Sequence, residues 1–253
     1  MLKLIGKELR EQRWTIVIGV ALFSAVGILT ALSYGMLIRH GENVAQFLPP
    51  GLAEQFAILL EDYTYYVWSQ WHPKNLLQMG VILALILSAP AIAGEVNRGT
   101  IKYLNSLPIS PGAIILGKAA AGSAVLTATV WISTMALLIA GSAAYPGLNW
   151  ARLLAATALT NVGLLAVYAL GLVFSALGSD PVKAGVLAAA VLLVWSAAGL
   201  HAGTAFLSPF WHMKGAGLFA GEGSFPWGSL LLLAALAAAA FLAAGRILAR
   251  RQL

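Results

Sequence analysis

The chain has 253 residues, of which 60% are apolar and only 9% charged, and its mean hydropathy is +0.86. The water-facing surface of a soluble domain draws on a chain in which about a quarter of the residues are charged, so a soluble fold and the functions that go with it are excluded. The absence of cysteine removes disulfides and thiolate metal sites, and the net charge of +6 is not gathered into basic runs interleaved with aromatic residues, which excludes nucleic acid as a partner.

The first dozen residues set Leu2, Ile5 and Leu9 on one helical face and Lys3, Lys7 and Arg10 on another, with Arg13 following. This spacing predicts an N-terminal helix lying in the inner membrane interface; a solvated basic tail is the alternative. Residues 14–37 form the first of six stretches free of Asp, Glu, Lys and Arg, the others being 76–93, 119–143, 153–177, 184–200 and 227–245. At roughly 1.5 Å per residue such stretches cross a hydrocarbon core of about 30 Å, and there the backbone must pair its own polar groups, so each is a helix. The first is far longer than a signal-peptide core and is read as a retained anchor. The expected fold is an all-α membrane protein with six transmembrane helices in a single transmembrane domain, 1–253.

Between the spans lie an inner loop, 95–118, and two outer loops, 38–75 and 201–226. In the first outer loop, Pro49 and Pro50 precede Leu52, Phe56, Leu59, Leu60, Tyr63 and Val67 at helical spacing, while Glu54, Glu61 and Asp62 face away, which predicts an outer amphipathic helix acting as a lid or a plug. The second carries Gly215, Gly217, Gly221 and Gly223 and is expected to dip back into the protein. Ser110-Pro111 and Asp180-Pro181 each set a capping side chain before a first-turn proline at the start of a span. Gly199 and Gly203 have GxxxG spacing, which suits close helix packing.

Orientation follows from the Lys and Arg count on the two sides of this path. With the N-terminus inside, eleven (Lys3, Lys7, Arg10, Arg13, Arg98, Lys102, Lys118, Lys183, Arg246, Arg250, Arg251) face the cytosol and four (Arg39, Lys74, Arg152, Lys214) face out. Both termini are therefore expected in the cytosol, and Trp68, Trp71, Tyr145, Trp150 and Trp227 fall where an outer aromatic belt sits.

Little in the chain points to catalysis. The segment GAIILGK at 112–118 has the spacing of a phosphate-binding loop, but Ala119 stands where a magnesium-binding Ser or Thr is needed and Pro111 has already started a helix; Lys118 is read as snorkelling to the interface. His40, His72, His201 and His212 lack partners at metal-ligand spacing and are read as interfacial, with His201, His212 and Met213 a remote soft-metal alternative, so no metal is expected. No ionisable residue sits mid-span, as ion-driven carriers usually require. Uphill transport then needs work borrowed from a partner on the cytosolic face. The inner loop suits that contact, with Ile101, Leu104 and Leu107 on one side of a short helix flanked by Glu95, Arg98 and Lys102. A passive channel or secondary carrier is the rival reading, with Ser123, Thr127, Thr129, Ser133, Thr134, Thr157, Thr160 and Asn161 as its only candidate lining.

The stretch GEVNRGTIKYLNSLPISPGAIILGK, 94–118, together with the basic opening KLIGKELREQR, 3–13, and the six-span plan, resembles the ABC-2 type transporter permeases. The resemblance implies that Glu95, Arg98, Gly99 and Thr100 begin a coupling helix and that Ile101, Leu104 and Leu107 lie against a separate cytosolic ABC ATPase, which binds the ATP and magnesium. It further implies a second permease copy, a plasma-membrane location and transport as an exporter, with no enzyme activity and no cofactor in this chain. At Pro111 the chain departs from the basic residue that the family often carries after the L-P-x-S serine.

Overall fold

The computed structural model describes residues 2–100, 110–219 and 224–251, and every regular element among them is helical. In chain order these are α1 (Leu2–Glu11), α2 (Arg13–Leu32), α3 (Tyr34–Ala45), α4 (Pro50–Glu61), α5 (Tyr63–Gln70), a π-helical segment (Trp71–Leu76), α6 (Leu77–Ser88), α7 (Pro90–Asn97), α8 (Pro111–Ala144), α9 (Trp150–Leu177), α10 (Pro181–Ala197), α11 (Pro209–Met213) and α12 (Trp227–Arg250). Among the described residues, six runs are long and apolar enough to cross a bilayer: Arg13–Gly41, Tyr63–Asn97, Gly112–Ala144, Trp150–Leu177, Pro181–Leu200 and Trp227–Arg250. Each contains one expected span and extends beyond it by up to seven residues, apart from the second, which begins thirteen residues before the expected start.

The two proline-led starts arise as the sequence predicts. Ser110 accepts a hydrogen bond from Ala113 N (3.2 Å), and Asp180 accepts from Val182 N and Lys183 N (2.8 and 3.1 Å), so each side chain satisfies first-turn donors that hydrocarbon would leave bare.

Helix α9 is the centre of the bundle, packing against α12, α6, α8, α10 and α7, while α2 lies along α8. Leu153, Ala156, Leu159, Leu164 and Leu172 of α9 are fully buried. Close approach of α8 and α9 depends on Gly122, where an added Cβ would stand 2.7 Å from Cε2 of the Tyr168 ring. The Tyr168 hydroxyl then reaches past it to donate to Lys118 O (2.9 Å).

Hydroxyls tie the two ends. Ser175 Oγ accepts from Ile92 N and Ala93 N (2.9 and 3.0 Å) and donates to Ala89 O (2.8 Å), fixing α7 against α9. Arg251 donates to Ala176 O and Gly178 O (2.9 and 2.6 Å). With α1 packed on α8, these bonds gather α1, the end of α7, the start of α8, the α9–α10 turn and the end of α12 at one end of the bundle. Ten of the eleven basic residues counted as inner belong to the described segments that meet or adjoin there, and Lys102 lies outside the described residues.

Several local expectations are corrected at the opposite end. The amphipathic stretch does not run on through Tyr63 and Val67: Asp62 accepts from Tyr65 N (3.0 Å) and starts a new helix, so α4 carries only residues up to Glu61 while Tyr63 and Val67 are buried in the outward extension of the second span. Trp68 and Trp71 are not belt residues. Both are buried, Trp68 donating to Lys214 O (2.8 Å) and Trp71 to Thr134 Oγ1 (3.2 Å), because their indole N–H groups find partners between helices. Tyr145 and Trp150 are half-buried and Trp227 is exposed. Gly199 and Gly203 do not share a helix face, since α10 gives way at Ala197 to a single 3-10 turn, Ala198–Leu200, and Gly203 lies in the turn beyond it. The π-helical segment surrounds Pro73, which lacks the N–H of a helical turn, and the Asn75 side chain donates to Gln70 O (2.8 Å).

Replacing Gly122 with Val forces the Tyr168 ring out of its seat. It is expected to lower stability by about 1 to 3 kcal/mol, read as a lower midpoint of thermal unfolding in detergent, whereas Gly228→Ala, where an added Cβ meets nothing, leaves the midpoint in place.

Candidate functional site: an ion-paired junction at the basic end

The second span ends where its last turn is closed by Arg98 N on Gly94 O and Gly99 N on Val96 O (both 3.1 Å). Gly99 has φ +74°, a left-handed conformation that glycine adopts without steric cost and that stops a right-handed helix. The chain returns at Ser110 and Pro111. Ile101, Leu104 and Leu107, and Lys102 with them, lie outside the described residues.

Two turns after Pro111, Lys118 points into the protein. Its side chain is 3% exposed, and its ammonium donates to Glu8 Oε1 (2.7 Å) and Glu95 Oε1 (3.1 Å). The two carboxylates are buried as well, at 6% and 4%. The Thr100 hydroxyl donates to Glu95 Oε2, and the exposed Arg98 guanidinium stands 3.9 Å from Glu95 Oε1. Three elements remote in sequence, α1, the end of α7 and the start of α8, are thus joined through one ammonium. Leu4 of α1 sits directly over Gly117, where an added Cβ would meet Leu4 Cδ2 at 2.6 Å, so the missing side chain at 117 lets α1 come close enough for Glu8 to reach Lys118.

Taking three ionised groups out of water carries a desolvation penalty of several kcal/mol each, which only near-ideal pairing offsets. The junction meets that demand at Lys118 and at Glu95, whose two oxygens both accept hydrogen bonds. Outside it, Lys7 and Glu11 form an exposed pair (3.3 Å), of the kind that contributes little. Glu8, Glu11 and Glu95 bring carboxylate oxygens within 4.8 Å of one another. The Lys118 ammonium bridges Glu8 and Glu95, and Lys7 pairs with Glu11.

Lys118 therefore does not snorkel: with two acids at hand the interior is the lower-energy position for its ammonium. Of the residues expected at the coupling loop, Glu95 turns inward and holds the junction, Thr100 is exposed and donates its hydroxyl to Glu95, Arg98 is exposed at the rim, and Gly99 ends the helix. Of the expected interfacial basic residues, Lys7, Arg10 and Arg13 are exposed on α1 and the start of α2, and Lys3 lies in the first turn of α1. Glu8 is the residue the sequence reading missed. Its signal was an acid beside Leu4, Ile5 and Leu9 on the apolar side of an amphipathic helix. The phosphate-loop spacing at 112–118 lies within the first turns of α8, with no loop.

The histidines are corrected in part. His72 is fully buried and bonds Thr157 Oγ1 (2.9 Å); since that hydroxyl donates to Leu153 O (2.8 Å), the imidazole is the donor to it. It is an interior residue because the π-helical turn carries it inward from the outer end of the span. His212 bonds Ser229 Oγ and Phe206 O (2.9 and 2.8 Å), while Met213 is buried against Gly163, so these two do not converge. Thr129, Ser133, Thr157 and Thr160 spend their hydroxyls on carbonyls of their own helix, and Thr160 also reaches Met213 O (3.0 Å).

Replacing Lys118 by Met alone leaves two buried carboxylates facing each other. It is expected to cost about 3 to 5 kcal/mol, seen as a large fall in thermal midpoint or loss of folded protein. The triple variant Lys118→Met, Glu8→Gln, Glu95→Gln recovers most of that loss, because it removes the charges together. Equal damage from both variants would show that the pairing is not what matters.

A protein-family description, ABC-2 family transporter protein, matches residues 3–214, a stretch that takes in α1 from its first turn, the whole junction and the first five spans. Comparison with curated proteins gives no match. With six membrane-crossing helices in place and most of its length matched, the chain belongs to the ABC-2 family of transporter proteins, as the membrane permease component of an ABC transporter.

Proposed function

We propose that the chain is the permease of an exporter in the plasma membrane, driven by a separate cytosolic ABC ATPase that grips the segment between Gly99 and Ser110. The observation that carries this reading is the buried Glu8–Lys118–Glu95 set. Force applied just beyond Gly99 reaches Glu95 and Thr100 at once, and through Lys118 it reaches α8 and α1. A segment rooted in this way moves three elements as one body, which suits the receiving end of a motor better than an idle loop.

The charge distribution supports a cytosolic position for this end and for both termini. The permease works as a pair with a second copy, whose alternate inward and outward packing moves the cargo. ATP and magnesium are held by the partner, where nucleotide chemistry belongs. The hydroxyls that a passive pore would need along a route are spent within and between helices, which favours transport by rearrangement of helices over permeation through a fixed channel.

Chain purified alone is expected to show no ATP hydrolysis, and affinity isolation from its own membranes is expected to bring an ABC ATPase with it. Leu104→Asp should release that ATPase while leaving the permease's thermal midpoint unchanged. Hydrolysis by the lone chain, or an ATPase still bound to the Leu104→Asp variant, overturns the reading.

A further inference from the structure

We infer that the bend between α1 and α2 is a binding site for an anionic phospholipid of the leaflet that the basic end faces. Two adjoining features of different chemistry carry this. The first is a cleft of about 690 Å³ lined by Gly6, Lys7, Arg10, Glu11, Arg13 and Trp14. The second is a groove of about 380 Å³ between the spans, walled by Trp14, Ile18 and Leu22 on α2 and by Met79, Ile82 and Ile86 on α6. Trp14, 64% exposed, lines both, so the polar cleft and the apolar groove border the same ring.

The cleft carries positive charge that the protein does not neutralise. Four acids belong to the basic end: Glu8, Glu11, Glu95 and Asp180. Glu8 and Glu95 are held by Lys118, Glu11 pairs with Lys7, and Asp180 caps α10. Arg10 and Arg13 are exposed, and no carboxylate pairs with them among the described residues; Arg13 only lies over the Trp14 ring at 5.8 Å from its centroid. Residues 101–109 include no acid. Among the described residues, ten basic and four acidic residues leave this end at +6, while four basic and four acidic residues (Glu42, Glu54, Glu61, Asp62) leave the other neutral, so the net positive charge is concentrated where the cleft lies.

A phosphate group seated between Arg10 and Arg13 meets both guanidinium groups, whose planar donor forks suit phosphate oxygens. Trp14 then stands at the depth where an indole favours the boundary of headgroup and acyl chain. From Trp14 to Leu22 the groove runs about 12 Å along α2, and its exposed Ile18, Leu22, Ile82 and Ile86 present nothing but hydrocarbon to a chain laid along it. Neither a free phosphate nor an acyl chain alone uses both features; a phospholipid with a net negative headgroup does. The site is independent of any ATPase.

Native mass spectrometry of the full chain in detergent tests this, with dioleoylphosphatidylglycerol, dioleoylphosphatidylcholine and glycerol 3-phosphate as probes. Phosphatidylglycerol is expected to be retained on the order of tenfold more strongly than phosphatidylcholine, and glycerol 3-phosphate not at all. Arg10→Gln with Arg13→Gln removes the preference, and Ile82→Trp, which fills the groove, weakens retention with the arginines intact. Arg246→Gln with Arg250→Gln removes equal charge from the same end and leaves the preference standing. Equal retention of the two lipids overturns the site, as does equal loss in the two arginine pairs, or binding of glycerol 3-phosphate as strong as that of the lipid.

Discussion

An ammonium ion inside a membrane protein has to find its counter-charges within reach or not be there. Lys118 stands two turns into a helix that is otherwise without charge, and its burial is possible only because Glu8 and Glu95 arrive from elsewhere in the chain. That requirement determines where the N-terminal helix lies, since Glu8 reaches its partner only if α1 crosses the start of α8 at Gly117. It also determines how the second span ends, since Glu95 must face inward in the last turn before Gly99 reverses the backbone. The geometry of the basic end is largely the solution to one electrostatic problem.

The same rule, applied to neutral groups, organises the rest of the bundle. Ser175 takes up the N–H groups that Pro90 leaves free at the junction of α6 and α7. Trp71 and His72 enter the interior because Thr134 and Thr157 meet them there. At the other end, Tyr34, Tyr63, Tyr66 and Tyr145 form a cluster with ring centroids about 5 to 6.5 Å apart, and Tyr34 and Tyr63 donate to main-chain carbonyls of Leu60 and Ala31. Apolar contact alone gives helices in lipid little preference among partners, so these bonds supply much of the specificity.

What was legible in the sequence was whatever depends on a single helix. Six uncharged runs, the proline-led starts at Ser110 and Asp180, and the amphipathic opening are local patterns, and each corresponds to an element. The family's inner-loop motif was legible too, but its residues divide in a way the string does not reveal: Glu95 faces the protein, while Thr100 and Arg98 stand exposed beside it. The pairing of Glu8 with Lys118 spans 110 positions, and no periodicity reports a contact of that kind. Trp68 and Trp71 were misplaced for a related reason, since an aromatic near the end of a span suits the interface and the interior equally until its N–H partner is known. The split at Asp62 was readable in principle, because Asp followed by an aromatic run is a capping signal, but the hydrophobic spacing carried across it.

The π-helical turn around Pro73 has a mechanical corollary. It divides the second long helix unevenly, leaving some twenty residues, about 32 Å of rod, between Leu76 and Asn97. Ser175 ties α7 to α9 and Lys118 ties the end of α7 to α1 and α8, so bending at this turn displaces the outer segment with its tyrosines against an inner part that is held.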